Sequence, residues 1–352
     1  MRVLFDLVHP ADALFFHHAI RALQADGAEV RVASRRKDVL TDLLDDLGHR
    51  HAPLTRARRG LVGQALELAE RDLAVLRIAR GWKPDVLVGF GGVAISHVGA
   101  LLRIPSVSFY DTEHAALQIG LTIPFIGQWH VPHSWTGPAP RGRTFRFPGS
   151  KQFAYLHPDH FRPDPAIAQA AGWDPERDNF LVRTVAWQAN HDLRRSGIPP
   201  EQLRAIVEHL SHLGKVHISA EGELPADLRP LQFRGRPGAF HHLLAHCRLC
   251  CGESITVASE AAALGVPALL QIDKEYAYVA EQEAAGLIRR FGPTDDVSSV
   301  LREALGADRE RFRQRATRFA AAAGDINRYI VDAVSHAASA SARDGGRAPQ
   351  PC

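Results

Sequence analysis

No stretch of about 18 consecutive apolar residues occurs in this 352-residue chain, so nothing in it reads as a membrane-spanning helix. An excess of one charge is also lacking. The 42 Lys and Arg stand against 39 Asp and Glu, a formal net charge of +3. That excludes the basic footprint of a nucleic-acid-binding protein, which needs clustered Lys and Arg. The densest basic runs, Arg35-Arg36-Lys37 and Arg56–Arg59, are short and read as solvated surface. For Arg56–Arg59 the second reading is a face toward anionic lipid, a peripheral membrane contact. Cysteine is scarce: Cys247, Cys250, Cys251 and Cys352. Cys247-x-x-Cys250 has the spacing of half a zinc site, and His241, His242 and His246 lie close by, but no second pair follows. These residues read as small apolar groups at a helix-to-strand junction, and no metal is expected. A reduced, cytoplasmic setting fits. Residues 115–140 carry no Asp, Glu, Lys or Arg, and Gly120, Pro124, Gly127 and Pro132 interrupt them. They read as buried loop and strand. Met1–Leu7 reads as a strand with Asp6 inside it, unlike a leader segment.

What is present is an α/β pattern in a chain long enough for two domains. Residues 249–272 run strand, tight turn, helix, strand. Leu249-Cys250-Cys251 is an apolar strand, Ser254 or Thr256 can cap the helix, and the Ala-rich run that follows is strong helix former. Gly265 stops the helix and Pro267 forbids its continuation. The first amides of such a helix point above the sheet and form an anion site. Residues 84–110 have the same shape: strand Val86–Phe90, Gly91-Gly92, helix Val93–Leu102, strand Ser106–Tyr110. Two such units suggest two doubly wound parallel-sheet halves with a ligand crevice between them.

The boundaries read as 1–155 for a first Rossmann-like domain and 165–325 for a second, with a Pro-rich linker between. A closing helix covers 326–338 and a disordered tail 339–352. The first loop, Val8–Asp12, precedes a helix from about Ala13 to Asp26. Further helices are expected over Lys37–Leu47, 62–80 and Pro200–Leu213.

These features resemble the GT-B glycosyltransferase fold. The chain is similar more closely to an uncharacterised prokaryotic family of that predicted fold, DUF354. The residues that carry this are Phe15-Phe16, Asp111-Thr112-Glu113-His114, Tyr155-Leu156-His157-Pro158, Arg183-x-Val185-x-Trp187 and His191-Asp192. Gly89-Phe90-Gly91-Gly92 followed by Tyr110-Asp111-Thr112-Glu113 resembles the peptidoglycan N-acetylglucosaminyltransferase. The non-hydrolysing UDP-N-acetylglucosamine 2-epimerase carries Asp-Thr-Thr where this chain has Gly91-Gly92-Val93. The resemblance thus implies metal-independent, inverting transfer from a nucleotide sugar, without a cofactor, in surface-polysaccharide or glycoconjugate synthesis. The acceptor would be a sugar or a lipid-linked sugar. The enzyme alternative is a nucleotide-sugar 2-epimerase. The non-enzyme alternative is a module that binds a nucleotide sugar without turnover. Three departures favour that last alternative: His9-Pro10-Ala11-Asp12 replaces a glycine-rich loop, Ile255 replaces a second glycine, and Glu253 sets a negative charge beside the anion site, where it can also cap the helix itself.

The expected catalytic residues are Asp111, Glu113, His114, His9 and His191. Asp111 and Glu113, two apart after a buried strand, are candidates for the base that takes the acceptor proton. Their alternative is a cap for the next helix, by Asp111 or Thr112. His9 is a candidate base, and Asp12 a candidate N-cap. His191 can donate to the leaving phosphate. The expected substrate-binding residues are Gly91, Gly92, Arg183, Gly252, Ser254, Ile255, Thr256 and Glu260. Arg183 would pair with the diphosphate and Glu260 with the ribose. Ile255 stands where many GT-B proteins have a second glycine.

Overall fold

A computed structural model describes residues 1–37, 39–58, 60–185, 198–272 and 274–344. The chain divides into two compact units. One combines Met1–Tyr155 with Asp325–Cys352, and the other is Leu156–Gly324.

In the first unit strands and helices alternate: β1 (Arg2–Leu7), α1 (Pro10–Ala25), β2 (Glu29–Arg36), α2 (Leu40–Asp46), β3 (His51–Arg56), α3 (Gly60–Trp82), β4 (Val86–Phe90), α4 (Val93–Leu102), β5 (Ser106–Phe109), α5 (Ala116–Thr122), β6 (Gln128–Pro132) and β7 (Thr144–Phe147). All seven strands pair in parallel in the order β3-β2-β1-β4-β5-β6-β7. Strands β1 and β4 are largely apolar, and β4 and β5 are buried throughout, because helices cover both sheet faces. Phe5, Phe15, Phe16, Phe109 and Phe147 meet largely edge-to-face in the core and are fully buried.

The second unit begins as α6 (Phe153–Leu156) ends. It continues with α7 (Pro165–Ala170), β8 (Asn179–Thr184), α8 (Pro200–Leu213), β9 (Lys215–Ala220), α9 (Phe240–Ala245), β10 (Leu249–Gly252), α10 (Ile255–Ala263), β11 (Ala268–Leu270), α11 (Ala277–Ala284), β12 (Ile288–Arg290), α12 (Val297–Gly306) and α13 (Arg309–Ala322). Its five strands are also parallel, in the order β12-β11-β10-β8-β9. The two parallel-sheet, Rossmann-like units expected from the sequence are therefore present.

The last helix, α14 (Ile326–Asp344), belongs to the first unit. Asn327 Nδ2 donates to the Ala154 carbonyl at 2.8 Å, and His130 Nδ1 lies 2.8 Å from the Tyr329 hydroxyl. His130 is stacked between Phe109 and Phe145, and burial lowers its pKa to about 3. A tail was expected from Ser339, but α14 continues to Asp344. The Ala-rich run from Ala337 sustains the helix.

Three more expectations need correction. Helix α1 starts at Pro10, since proline suits a first helical turn. Strand β3 was not anticipated. It is an edge strand, which tolerates Pro53 and shows no clear alternation. The uncharged stretch 115–140 holds β6 as expected but also α5.

Candidate functional site

In an open parallel sheet, ligands bind outside the carboxyl ends of the strands where the strand order reverses. In the first unit that point lies between β1 and β4, and in the second between β8 and β10. His9 follows β1, Gly91 and Gly92 follow β4, and Arg183 and Gly252 lie at the ends of β8 and β10, while Asp111, Glu113 and His114 follow the neighbouring β5.

In the second unit, β10 ends in Gly252. A Cβ there would lie 2.1 Å from the Arg183 carbonyl, so only glycine lets β10 run this close to β8. Ser254 has extended backbone and accepts from the Val257 amide at 3.4 Å, so it is the cap. Ile255 and Thr256 supply the first amides of α10, which have no carbonyl within the helix to bond. Gly265, with φ of +73°, closes the helix.

Arg183 leaves the carboxyl end of β8. Its Nη1 donates to Ser219 Oγ at 2.8 Å and its Nη2 to Glu221 Oε1 at 2.5 Å. Its fork is held by these two neighbours on the β9 side of β8. Glu253 was read as a competing charge or a cap, and it caps nothing. Its Oε2 accepts from the Val185 amide at 3.0 Å, and Oε1 accepts from the Ile198 amide. Burial raises its pKa, opposed by the two amides it accepts from. Glu260 is 4% exposed, with Oε1 3.2 Å from Nε2 of His241 on α9. His191, Trp187 and Asp192 lie outside the described residues. Cys247, Cys250 and Cys251 are buried thiols whose pKa values burial raises. Among the described residues, no group of three or more His, Cys, Asp or Glu is placed to hold a metal ion.

In the first unit the loop after β1 is a capping box. His9 Nδ1 accepts from the Ala11 amide at 3.2 Å, while Asp12 Oδ2 accepts from the Val8 and His9 amides, both at 2.9 Å. The N-cap is thus His9, and Asp12 sits three positions on. With Nδ1 accepting, the neutral ring carries its proton on Nε2 and acts as a donor there. That counts against His9 as a base. Burial raises the Asp12 pKa to about 7, opposed by the two amides and by Lys151.

Lys151 is the residue the sequence reading missed. It is buried, with Nζ 2.9 Å from Asp111 Oδ2 and 5.1 Å from the Phe90 ring centroid. Asp111 Oδ1 also accepts from the Thr112 hydroxyl at 3.1 Å. Neither Asp111 nor Thr112 caps α5, whose N-cap is Ala115. Glu113 is half-buried and His114 exposed. Gly91 and Gly92 have φ of +71° and +43°, a left-handed turn that opens α4. A Cβ on Gly91 would lie 2.1 Å from Gln118 Nε2. Gln118 in turn accepts from the Tyr110 hydroxyl at 2.9 Å. The structure therefore assembles Asp12, Asp111 and Lys151, with Glu113 following Asp111 at the rim.

Residues 1–135 match a family model described as "Protein of unknown function (DUF354)". This is the family the sequence resembles. The DUF354 match runs from β1 past β6 and stops before β7. No curated protein matches the sequence. Solved structures match across both units. The Methanocaldococcus jannaschii UDP-GlcNAc 2-epimerase, in complex with UDP-GlcNAc and UDP, is 15% identical with a TM-score of 0.67. That alignment covers 96% of this chain and 100% of that one. The Neisseria meningitidis UDP-GlcNAc 2-epimerase bound to UDP-GlcNAc gives 14%, 0.67 and the same coverage. The spinosyn forosaminyltransferase gives 17% and 0.61, over 96% of this chain and 99% of that one. At these identities the likeness concerns the fold, which is GT-B-like.

Proposed function

We propose that this chain is a GT-B-type glycosyltransferase that uses a nucleotide sugar and works by inversion without a metal. The observation that carries the reading is the switch point of the second unit. There Gly252 and the capped start of α10 lie at the carboxyl end of β10, and Arg183, its guanidinium bonded to Ser219 and Glu221, lies at the carboxyl end of the neighbouring β8. Helix amides and an arginine together supply the countercharge a diphosphate leaving group needs. Bound UDP-GlcNAc in two structures of this fold supports a nucleotide sugar as the ligand.

In this reading an acceptor hydroxyl attacks the anomeric carbon as the bond to the diphosphate breaks. The proton goes to Glu113, and the negative charge stays with the departing nucleotide. Asp111 and Lys151 are positioning residues that fix the turn carrying Glu113.

Donor binding is tested with Arg183→Gln and Glu260→Gln. Glutamine keeps the volume beside His241 while removing the charge from Glu260. Each variant should weaken nucleotide-sugar binding by about 1–3 kcal/mol, the range for a charge-assisted hydrogen bond. The measurement is calorimetric titration with hits from a thermal-shift panel of nucleotide sugars. Unchanged affinity in both would remove the donor site from the second unit.

The epimerase reading is separated by isotope exchange. A 2-epimerase must take a proton from the sugar and return one. Gly91 and Gly92 leave no carboxylate at that place to remove the C2 proton. Incubation with nucleotide sugars in deuterated water should leave the C2 proton in place by NMR. Deuterium at C2 would establish epimerisation instead.

A further inference from the structure

We propose that the start of α3, with the adjoining ends of β2 and β3, is a docking edge for an anionic lipid bilayer surface. The first three turns of α3 are turned inside out, whereas Val75, Ala79 and Trp82 face inward further along. Its buried positions in the first three turns are Glu67 and Arg71, whereas Leu61 and Val62 are each 76% exposed and Leu66 is 52% exposed. A helix that only covers a sheet points its leucines inward and its charges outward.

The inversion is held firmly. Arg35 grips Glu67 with two bonds, at 2.5 and 2.6 Å, and Thr55 donates to the same carboxylate at 3.1 Å. Arg71 forks onto Asp6 and donates to Thr55 Oγ1 at 3.0 Å. With these polar anchors inward, the aliphatic side chains have only the outer face. Val62 and Leu66 stand four apart, so they adjoin on the helix surface, with Leu61 beside them in the first turn. Leu73, 52% exposed, extends the stripe.

A second observation points to an anion. Arg36 and Arg56 stand side by side in register at the ends of β2 and β3, and both are exposed. Like charges opposed on neighbouring strands cost stability unless a counter-charge meets them. The nearby Arg58 pairs with Glu70 at 2.6 Å. Exposed aliphatic residues next to uncovered cations fit a surface with phosphate outside and hydrocarbon just beneath. A nucleic acid would use the arginines and leave the leucines in water.

The test is co-sedimentation of the full chain with vesicles of phosphatidylglycerol and phosphatidylcholine in equal parts, against phosphatidylcholine alone. Binding should require the anionic lipid and weaken with salt. Arg36→Gln with Arg56→Gln should lower binding roughly 30-fold, from two arginines near an anionic surface. Leu61→Gln with Val62→Gln should lower it by about tenfold or more, through lost apolar burial. Thermal melting should stay unchanged in both, since all four side chains are exposed. Equal sedimentation with both vesicle types, or undiminished binding by both variants, would overturn the proposal. So would a dimer that the leucine variant alone dissociates, because the face would then meet a second copy. Binding to a duplex DNA probe but not to vesicles would also overturn it.

Discussion

Glu113→Gln should lower turnover about 100-fold or more while donor affinity stays as it was, the signature of a lost general base. The change keeps the volume of a half-buried side chain and removes the group that takes the acceptor proton. Asp111→Asn should behave differently. It leaves the buried ammonium of Lys151 without its carboxylate, so stability should fall together with turnover. Lys151→Met paired with Asp111→Leu removes both charges and should recover stability but not activity. Steady-state kinetics with an identified donor and acceptor, set beside thermal melting, separates the two residues. Full turnover by Glu113→Gln would move the base elsewhere. Asp12, whose pKa lies near neutrality, would then be the next group to change.

A second large effect concerns stability alone. Asp6 and Arg71 are 2% and 4% exposed, and the guanidinium also reaches the Ser34 carbonyl at 3.2 Å. Breaking such a pair from one side should cost about 3–5 kcal/mol, because a charge is left buried without its partner. Arg71→Met alone should therefore lower the denaturant midpoint severely. Adding Asp6→Leu should restore part of the loss, since no orphan carboxylate remains. A double variant no more stable than the single one would show that the surrounding bonds to Thr55 and Ser34 carry the effect.

The parts of this protein legible in its sequence are those with local causes. The β10–α10 unit could be read because strand, cap, Ala-rich run, Gly265 and Pro267 follow in order. The same holds for Gly91-Gly92 ahead of α4. What stayed hidden depends on distant partners. Lys151 resembles any surface lysine until Asp111 and Phe90 close around it. Glu253 reads as a helix cap, yet its bonds run to Val185 and Ile198. Asp12 was weighed as an N-cap because Asp favours that position, whereas His9 fills it and Asp12 answers three residues later. Strand β3 escaped because an edge strand with a proline has neither an apolar run nor alternation. The inversion of α3 was invisible for the same reason: its inward Glu67 and Arg71 make sense only beside Arg35, Thr55 and Asp6.

The return of α14 to the first unit sets an order on biosynthesis. The second unit is one continuous stretch, Leu156–Gly324, while the first needs the last helix to cover its sheet. Ile330, Val334 and Ala337 are buried in that covering. On the ribosome, then, the later-encoded unit has its whole sequence first, and the earlier one waits, its apolar face open, until α14 emerges. A premature stop near residue 325 would spare the second unit and leave the first unfinished. The N-terminal part of this protein is the last to mature.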